Sequence, residues 1–180
     1  WWPEDDDWKL PENWKEIILN GLQQRLDKFR SLKIFMDCCV RCGACADKCH
    51  YFIGTQDPLN MPVARQDLMR SVYRRYFTLP GKLFPRLVGA RDLTKEVLDQ
   101  WYTYYNQCSE CRRCSVFCPY GIDTAEVTMA AKEIMDVAGL GQKYSNEIIG
   151  KVHRIGNNLG LPGPALADTL EGLEEDVKDE

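Results

Sequence analysis

Cys39-Val40-Arg41-Cys42-Gly43-Ala44-Cys45-Ala46-Asp47-Lys48-Cys49 is the stretch on which the reading of this chain turns. Its cysteines follow the spacing C-x2-C-x2-C-x3-C. The same spacing returns at Cys108-Ser109-Glu110-Cys111-Arg112-Arg113-Cys114-Ser115-Val116-Phe117-Cys118, followed by Pro119. Three cysteines two residues apart can wind round one corner of a cubane, so each run has the pattern that holds a [4Fe–4S] cluster. The fourth cysteine opens the next segment and points away; in two-cluster ferredoxins it ligates the other cluster. The expected cofactors are therefore two [4Fe–4S] clusters. Cluster A takes Cys39, Cys42, Cys45 and Cys118, and cluster B takes Cys108, Cys111, Cys114 and Cys49.

Other uses of the cysteines fit less well. Structural zinc takes four ligands per ion, usually as two separated pairs, not as two four-cysteine runs. Disulfides would have to close very short loops, and nothing at the amino end resembles a secretory signal. The nine cysteines are also an odd number, which leaves a thiol over in any fully paired scheme. Cys38 is the ninth and stands outside the register. It reads as a small buried apolar residue beside the loop, with a substitute-ligand role in place of Cys39 as the sharper alternative.

Outward from the motifs, the pattern is helical. Asn13 with Glu16 resembles a capping box, and Ile18, Leu22, Leu26 and Phe29 then recur at helical spacing toward residue 30. A second helix is expected from Pro62, with Leu68, Val72 and Tyr76 on one face. Pro80, Gly81 and Pro85 mark residues 78–91 as an irregular connection. Further helices are expected over 92–106, 123–137 and 143–156. The aromatic group Trp101, Tyr102, Tyr104 and Tyr105 reads as core, not as a redox relay. No alternating strand pattern appears. The 58 residues between Cys49 and Cys108 look helical, which favours an α-helical ferredoxin domain over the β-containing small ferredoxin. The fold class is thus mainly α. The expected division is 1–36 as an arm and amphipathic helix, 37–140 as the two-cluster domain, and 141–180 as a helical extension and acidic linker.

Charge is segregated beneath a net of −4. Residues 65–91 carry seven basic side chains against Asp67, a net of +6, while residues 168–180 carry a net of −6. The acidic whole and the lack of a recognition motif argue against nucleic acid as a partner. The basic stretch reads as a solvated helical face, and next as a docking face for an acidic protein or lipid head groups. No apolar run approaches the roughly 20 residues that cross a bilayer. Any membrane association is therefore expected to run through partner subunits. Trp1 in place of methionine, and the abrupt acidic end, suggest a piece of a longer protein.

Charges also suggest an asymmetry between the clusters. Arg112, Arg113 and Lys48 stand beside the cluster B cysteines, whereas cluster A has Arg41, with small Gly43-Ala44 letting backbone N–H groups approach. Cations favour the reduced, more anionic state, so cluster B is expected to have the higher potential. Water screening of exposed side chains would make the effect slight. His50, which follows Cys49, reads as a surface histidine, with a hydrogen bond to a cluster sulfur as the alternative. His153 reads as structural.

The words Asp37-Cys38-Cys39-Val40-Arg41-Cys42-Gly43-Ala44-Cys45, Tyr51-Phe52-Ile53-Gly54-Thr55 and Pro62-Val63-Ala64-Arg65 resemble the heterodisulfide-reductase-like iron–sulfur proteins. Within that family the chain most resembles the amino-terminal part of the K-type subunits of Dsr membrane complexes in dissimilatory sulfur metabolism. The resemblance implies part of an oxidoreductase. Electrons would pass between a quinone-linked membrane cytochrome b and a cysteine-rich site that reduces a disulfide or trisulfide. It implies a small sulfur-carrier protein as redox partner. It also implies a place on the cytoplasmic side, attached to the cell membrane through partner subunits. Catalytic C-C-G-type motifs are missing, so no catalytic residue is assigned and the catalytic domain is expected beyond Glu180. The alternative is the iron–sulfur subunit of another dehydrogenase, of the glycolate, glycerol-3-phosphate or succinate type.

Overall fold

A computed structural model of the chain describes residues 10–178. Ten α-helices are found there and no strand: α1 Trp14–Lys28, α2 Arg30–Cys38, α3 His50–Thr55, α4 Pro62–Phe77, α5 Leu79–Leu83, α6 Lys95–Asn106, α7 Arg113–Val116, α8 Thr124–Val137, α9 Lys143–Ile155 and α10 Gly163–Lys178. The mainly helical ferredoxin-type class expected from the sequence is what the structure has. Two compact units divide the chain at Leu140 and Gly141.

In the first unit α8 is the central element, packed against α1, α2, α4 and α6. The helical spacing of Ile18, Leu22 and Leu26 on α1 and of Leu68 and Val72 on α4 delivers those side chains to one core. Trp101 and Tyr105 of α6, four residues apart, are fully buried in it and meet edge to face at 5.7 Å. The aromatic group before the second motif thus serves as core, with Tyr102 and Tyr104 half-buried at its margin. Each fully buried large apolar side chain contributes roughly 1.5–3 kcal/mol.

The first amphipathic segment is two helices, not one. Phe29 adopts an extended conformation (φ −120°, ψ 98°) between α1 and α2 and is partly exposed. α2 then buries Leu32 and Met36 and ends at Cys38, which delivers Cys39 to the first cysteine loop. The capping box expected at Asn13 does not form: its side chain makes no cap hydrogen bond, and Trp14 N–H donates to the Pro11 carbonyl at 3.0 Å instead.

The connection over 78–91 contains a helical turn as well. α5 starts on the Thr78 side chain and runs through Gly81, where a Cβ would lie 1.8 Å from the Arg74 carbonyl oxygen. Only glycine allows that approach. The expectation of a solvated face over the basic stretch is overturned at Arg65 and Arg70, which are 2% and 1% exposed. Both lie on the core side of α4, because the helical period carries them round with Leu68, Met69 and Val72.

The second unit consists of α9 and α10. Gly156 ends α9 at φ 89°, and Asn157 brackets the turn: its amide donates to the Leu161 carbonyl at 2.8 Å and its oxygen accepts from Leu161 N–H at 3.1 Å. α10 covers the stretch read from its composition as an acidic linker. Among the described residues no helix is long and apolar enough to cross a membrane.

Candidate iron–sulfur centre

Each cysteine run opens as a loop after a helix and ends in a short helical turn, Ala46–Lys48 in the first and α7 in the second, and the two loops repeat one backbone pattern. In the first, the third and fifth motif residues Arg41 and Gly43 are left-handed (φ 59° and 79°); in the second, Glu110 and Arg112 are left-handed too (φ 56° and 59°). Equal spacing has produced equal local geometry. The small residues at Gly43-Ala44 were expected to allow close approach. A Cβ at Gly43 would meet nothing within 4 Å. Gly43 lies in the wall of the first cysteine cavity at a positive φ, a conformation that Arg112 adopts at the matching place of the second loop.

The loops are pinned by the helices beneath them. For the first, Arg70 of α4 donates to the Cys39 carbonyl at 3.2 Å, and Asp67 pairs with both Arg70 (3.1 Å) and Arg41 (2.8 Å). For the second, Lys132 of α8 donates to the Cys108 carbonyl at 2.9 Å and pairs with Glu110 at 2.7 Å. Asp123 ties the same loop to the start of α8. Its Oδ1 accepts from Ala125 and Glu126 N–H at 3.0 and 3.3 Å and from the Ser115 hydroxyl, and its Oδ2 faces Arg112 at 3.8 Å. Asp123→Ala is expected to cost about 1–2 kcal/mol of stability through the lost cap. A lower thermal midpoint, larger than that of an exposed control such as Glu133→Ala, checks it.

The cysteines surround two open cavities. Cys39, Cys42, Cys45 and Cys118 line one of about 370 Å3, together with Val63, Gln66, Ile122 and Thr124. Cys49, Cys108, Cys111 and Cys114 line another of about 320 Å3, together with Pro62, Arg65 and Ala125. Cys114 reaches both, so the cavities share a wall. Neighbouring residues of α4 divide between them: Pro62 and Arg65 face one, Val63 and Gln66 the other. Thr124 and Ala125 at the start of α8 divide in the same way. The positive ends of two long helices therefore converge on the cysteines, an environment that favours negative charge.

The donor set fits iron–sulfur clusters. All nine cysteines are free thiols. Among the described residues no three Cys, His, Asp or Glu side chains converge closely enough to hold a single ion. A cubane takes each thiolate on a different iron, so ligands ringed round a cavity suit it. Burial pushes the Cys45 thiol up to about 11, opposed by the Val63 amide, which donates toward the thiolate. Burial raises Cys114 likewise. Both thiols stay protonated at neutral pH without a metal to take the charge, so loading releases protons. Glu110 N–H lies 3.4 Å from Cys108 Sγ.

Cys38 departs from its expected place: it is exposed at the end of α2, not buried beside the loop. His50 is exposed, as a surface histidine should be. It also sits in the second cavity wall, with Nδ1 4.0 Å from Cys111 Sγ and Nε2 3.4 Å from Ser109 Oγ. Lys48 is tied to Asp47 at 2.7 Å and rests over the Phe117 ring. Sequence reasoning missed Arg65, whose Nη1 lies 3.5 Å from Cys49 Sγ. The signals were its place one turn into a helix beginning at Pro62 and its part in the word Pro62-Val63-Ala64-Arg65. It was counted instead with the basic stretch.

Residues 35–122 match the 4Fe-4S dicluster domain family. The chain is 56% identical over 97% of its length to the Hdr-like menaquinol oxidoreductase iron-sulfur subunit of Archaeoglobus profundus, covering 31% of that protein. It is 58% identical over 94% of its length to iron-sulfur subunit 2 of the same kind from Archaeoglobus fulgidus, again covering 31%. A more distant relative is a component of the dihydromethanophenazine:CoB–CoM heterodisulfide reductase of Methanosarcina barkeri, 25% identical over 66% of this chain and 29% of that protein. The chain thus spans about a third of the length of the curated relatives it matches. No solved structure matches it. The chain carries a 4Fe-4S dicluster domain in a mainly helical framework, and its close homologues are the iron–sulfur subunits of Hdr-like menaquinol oxidoreductases.

Proposed function

We propose that this chain is the electron-carrying segment of an Hdr-like, quinol-linked membrane complex. The observation that carries the reading is the grouping of eight cysteines round two cavities, five lining the first and four the second, with Cys114 in the wall they share. Cys39, Cys42, Cys45 and Cys118 would hold one [4Fe–4S] cluster, and Cys108, Cys111, Cys114 and Cys49 the other. When bound, such a cluster supplies one-electron uptake and release without a change of ligands. The residues of the chain hold and insulate it. Val63 and Glu110 offer N–H groups to ligand sulfurs. The α4 and α8 ends supply positive potential. Cys42 and Cys111, the exposed middle cysteines, mark the side open to solvent.

The wider reading is part of the same proposal. The named relatives suggest menaquinol as the electron source and a heterodisulfide-type acceptor. A membrane cytochrome b would handle the quinol on one side. A cysteine-rich domain outside this stretch would reduce a disulfide or trisulfide, with a small sulfur-carrier protein as redox partner. The complex would be of the Dsr type in dissimilatory sulfur metabolism, with this segment on the cytoplasmic face, held to the membrane by partner subunits.

The intact protein, purified without air, is expected to be brown and to lose about eight irons, two [4Fe–4S] clusters, when all eight cysteines are replaced by serine. A menaquinol analogue should bleach its visible absorbance in the assembled complex. An iron-free protein, or one holding zinc alone, would sink the cluster reading. Clusters that no quinol reduces would sink the quinol link.

A further inference from the structure

Arg65 is a buried charge without a countercharge of its own. Its guanidinium is 2% exposed and is held in one orientation. Nε donates to the Tyr104 carbonyl at 2.9 Å and Nη2 to Asn60 Oδ1 at 2.8 Å, while the Tyr51 ring lies 6.0 Å from Cζ. The remaining arm, Nη1, is directed at Cys49 Sγ, 3.5 Å away. Among the described residues no carboxylate lies within ion-pair distance of Arg65. Arginine keeps its proton in proteins. A charge buried beside neutral acceptors alone is costly unless an anion completes the site.

Arg70, five residues on, makes the contrast. It is as deeply buried, but it is paired with Asp67 at 3.1 Å and reaches only the carbonyl of Cys39. Asp67 also holds Arg41. The buried cation beside the first cavity has a carboxylate in contact, shared with half-exposed Arg41, and among the described residues the one beside the second has none. The loop arginines do not supply this difference: Arg112 is mostly exposed, 3.8 Å from Asp123, and its charge is screened.

We propose that Arg65 is the positioning residue for Cys49 and the fixed countercharge of the second cluster site. By this route, not through Arg112 or Arg113, the second site takes an electron before the first. The proposal rests on the reading of Cys49 as a ligand. A charge-assisted hydrogen bond to a thiolate sulfur strengthens as the site becomes more anionic, so it favours the reduced state. Two neutral acceptors already fix the fork, so little orientation is lost in making the third bond.

The test uses the intact protein with its clusters loaded, as Arg65→Gln and Arg65→Lys, in an EPR-monitored redox titration with iron determination. Arg65→Gln should cut the reduced-to-oxidised ratio of one cluster about tenfold at fixed potential, a fall of about 59 mV for a one-electron couple. Arg65→Lys should recover most of it. Should Arg65→Gln fail to load, loss of about four irons that Arg65→Lys restores supports the countercharge equally. An unmoved midpoint in Arg65→Gln overturns the proposal. Equal changes in both variants, in potential or in iron, also overturn it, because they assign the residue to packing alone. Absence of iron–sulfur signals from the unaltered protein would instead strike at the cluster reading itself.

Discussion

Cys118→Ser is expected to remove the same cluster signal as Cys39→Ser, although 78 residues lie between the two positions. Cys49→Ser should remove the other signal, the one lost with Cys108→Ser. Each single variant should lose about four irons, and the double variant Cys39→Ser/Cys118→Ser no more than either alone. The reason is spatial. Cys118 stands with Cys39, Cys42 and Cys45 round one cavity, whereas Cys49 stands with Cys108, Cys111 and Cys114 round the other. If each run held its own cluster, Cys118→Ser would instead pair with Cys108→Ser. Iron content together with EPR of the reduced variants separates the two patterns. Because crossed ligation would tie the chain at the starts of α3 and α8 to both loops, either loss should also lower the thermal midpoint.

Trp101→Ala is expected to cost about 3–5 kcal/mol, the largest effect of any single core substitution. Trp101 has no exposed surface and packs edge to face on Tyr105, at the meeting of α4, α6 and α8. Truncation opens a cavity that these helices cannot close without moving the loop that follows α6. Its indole Nε1 is buried without a hydrogen-bond partner. Trp101→Phe therefore removes an unsatisfied donor along with some volume and should cost clearly less. Thermal midpoints lowered by roughly 10 °C for alanine and by a fraction of that for phenylalanine check the argument. A Trp101→Ala protein as stable as the unaltered one would mean that α6 contributes little to the core.

Tyr105 links that core to the second cysteine cavity. Its hydroxyl donates to the Arg65 carbonyl at 2.8 Å, and Tyr104, its neighbour, supplies both the carbonyl that holds Arg65 and a hydroxyl bound to Asp57 at 2.9 Å. Burial holds the Tyr105 phenol far above its ordinary range, so it remains a donor at any working pH. The aromatic group read as core is therefore also the scaffold of the second cysteine site. Damage to α6 should reach Cys49 through Arg65.

Much of the fold was legible in the sequence because its causes are local. The C-x2-C-x2-C-x3-C runs dictate two loops of one shape, and equal spacing produced matching left-handed residues in both. Helical periodicity placed α4, α6 and α8 close to their observed bounds. Where the reading went astray, a local pattern met a competing local conformation. Phe29 continued the apolar period but took an extended backbone, splitting one helix into α1 and α2. Asn13 had the residue type of a cap without the geometry. The acidic composition of the carboxyl end concealed α10, whose Leu166, Leu170, Leu173 and Val177 keep a helical spacing.

By itself the sequence determined the number and type of candidate ligands, the helical class and the repeat of the cysteine loop. Each of these depends on residues a few positions apart. The crossed grouping of the cysteines was also legible in the repeated spacing; only the tertiary structure decided that two arginines of the basic stretch turn inward while Arg74 and Arg75 stay nearer the surface. Composition counted Arg65 and Arg70 alike, as two charges on one helix. Asp67, three residues earlier on α4, gives Arg70 a carboxylate, whereas Arg65 faces the second cavity and Cys49 Sγ. Asp67 is within one helical turn of Arg70 and could be read from spacing, but Cys49 is 16 residues from Arg65 and only the fold brings its sulfur within a few ångströms, where the interaction acts.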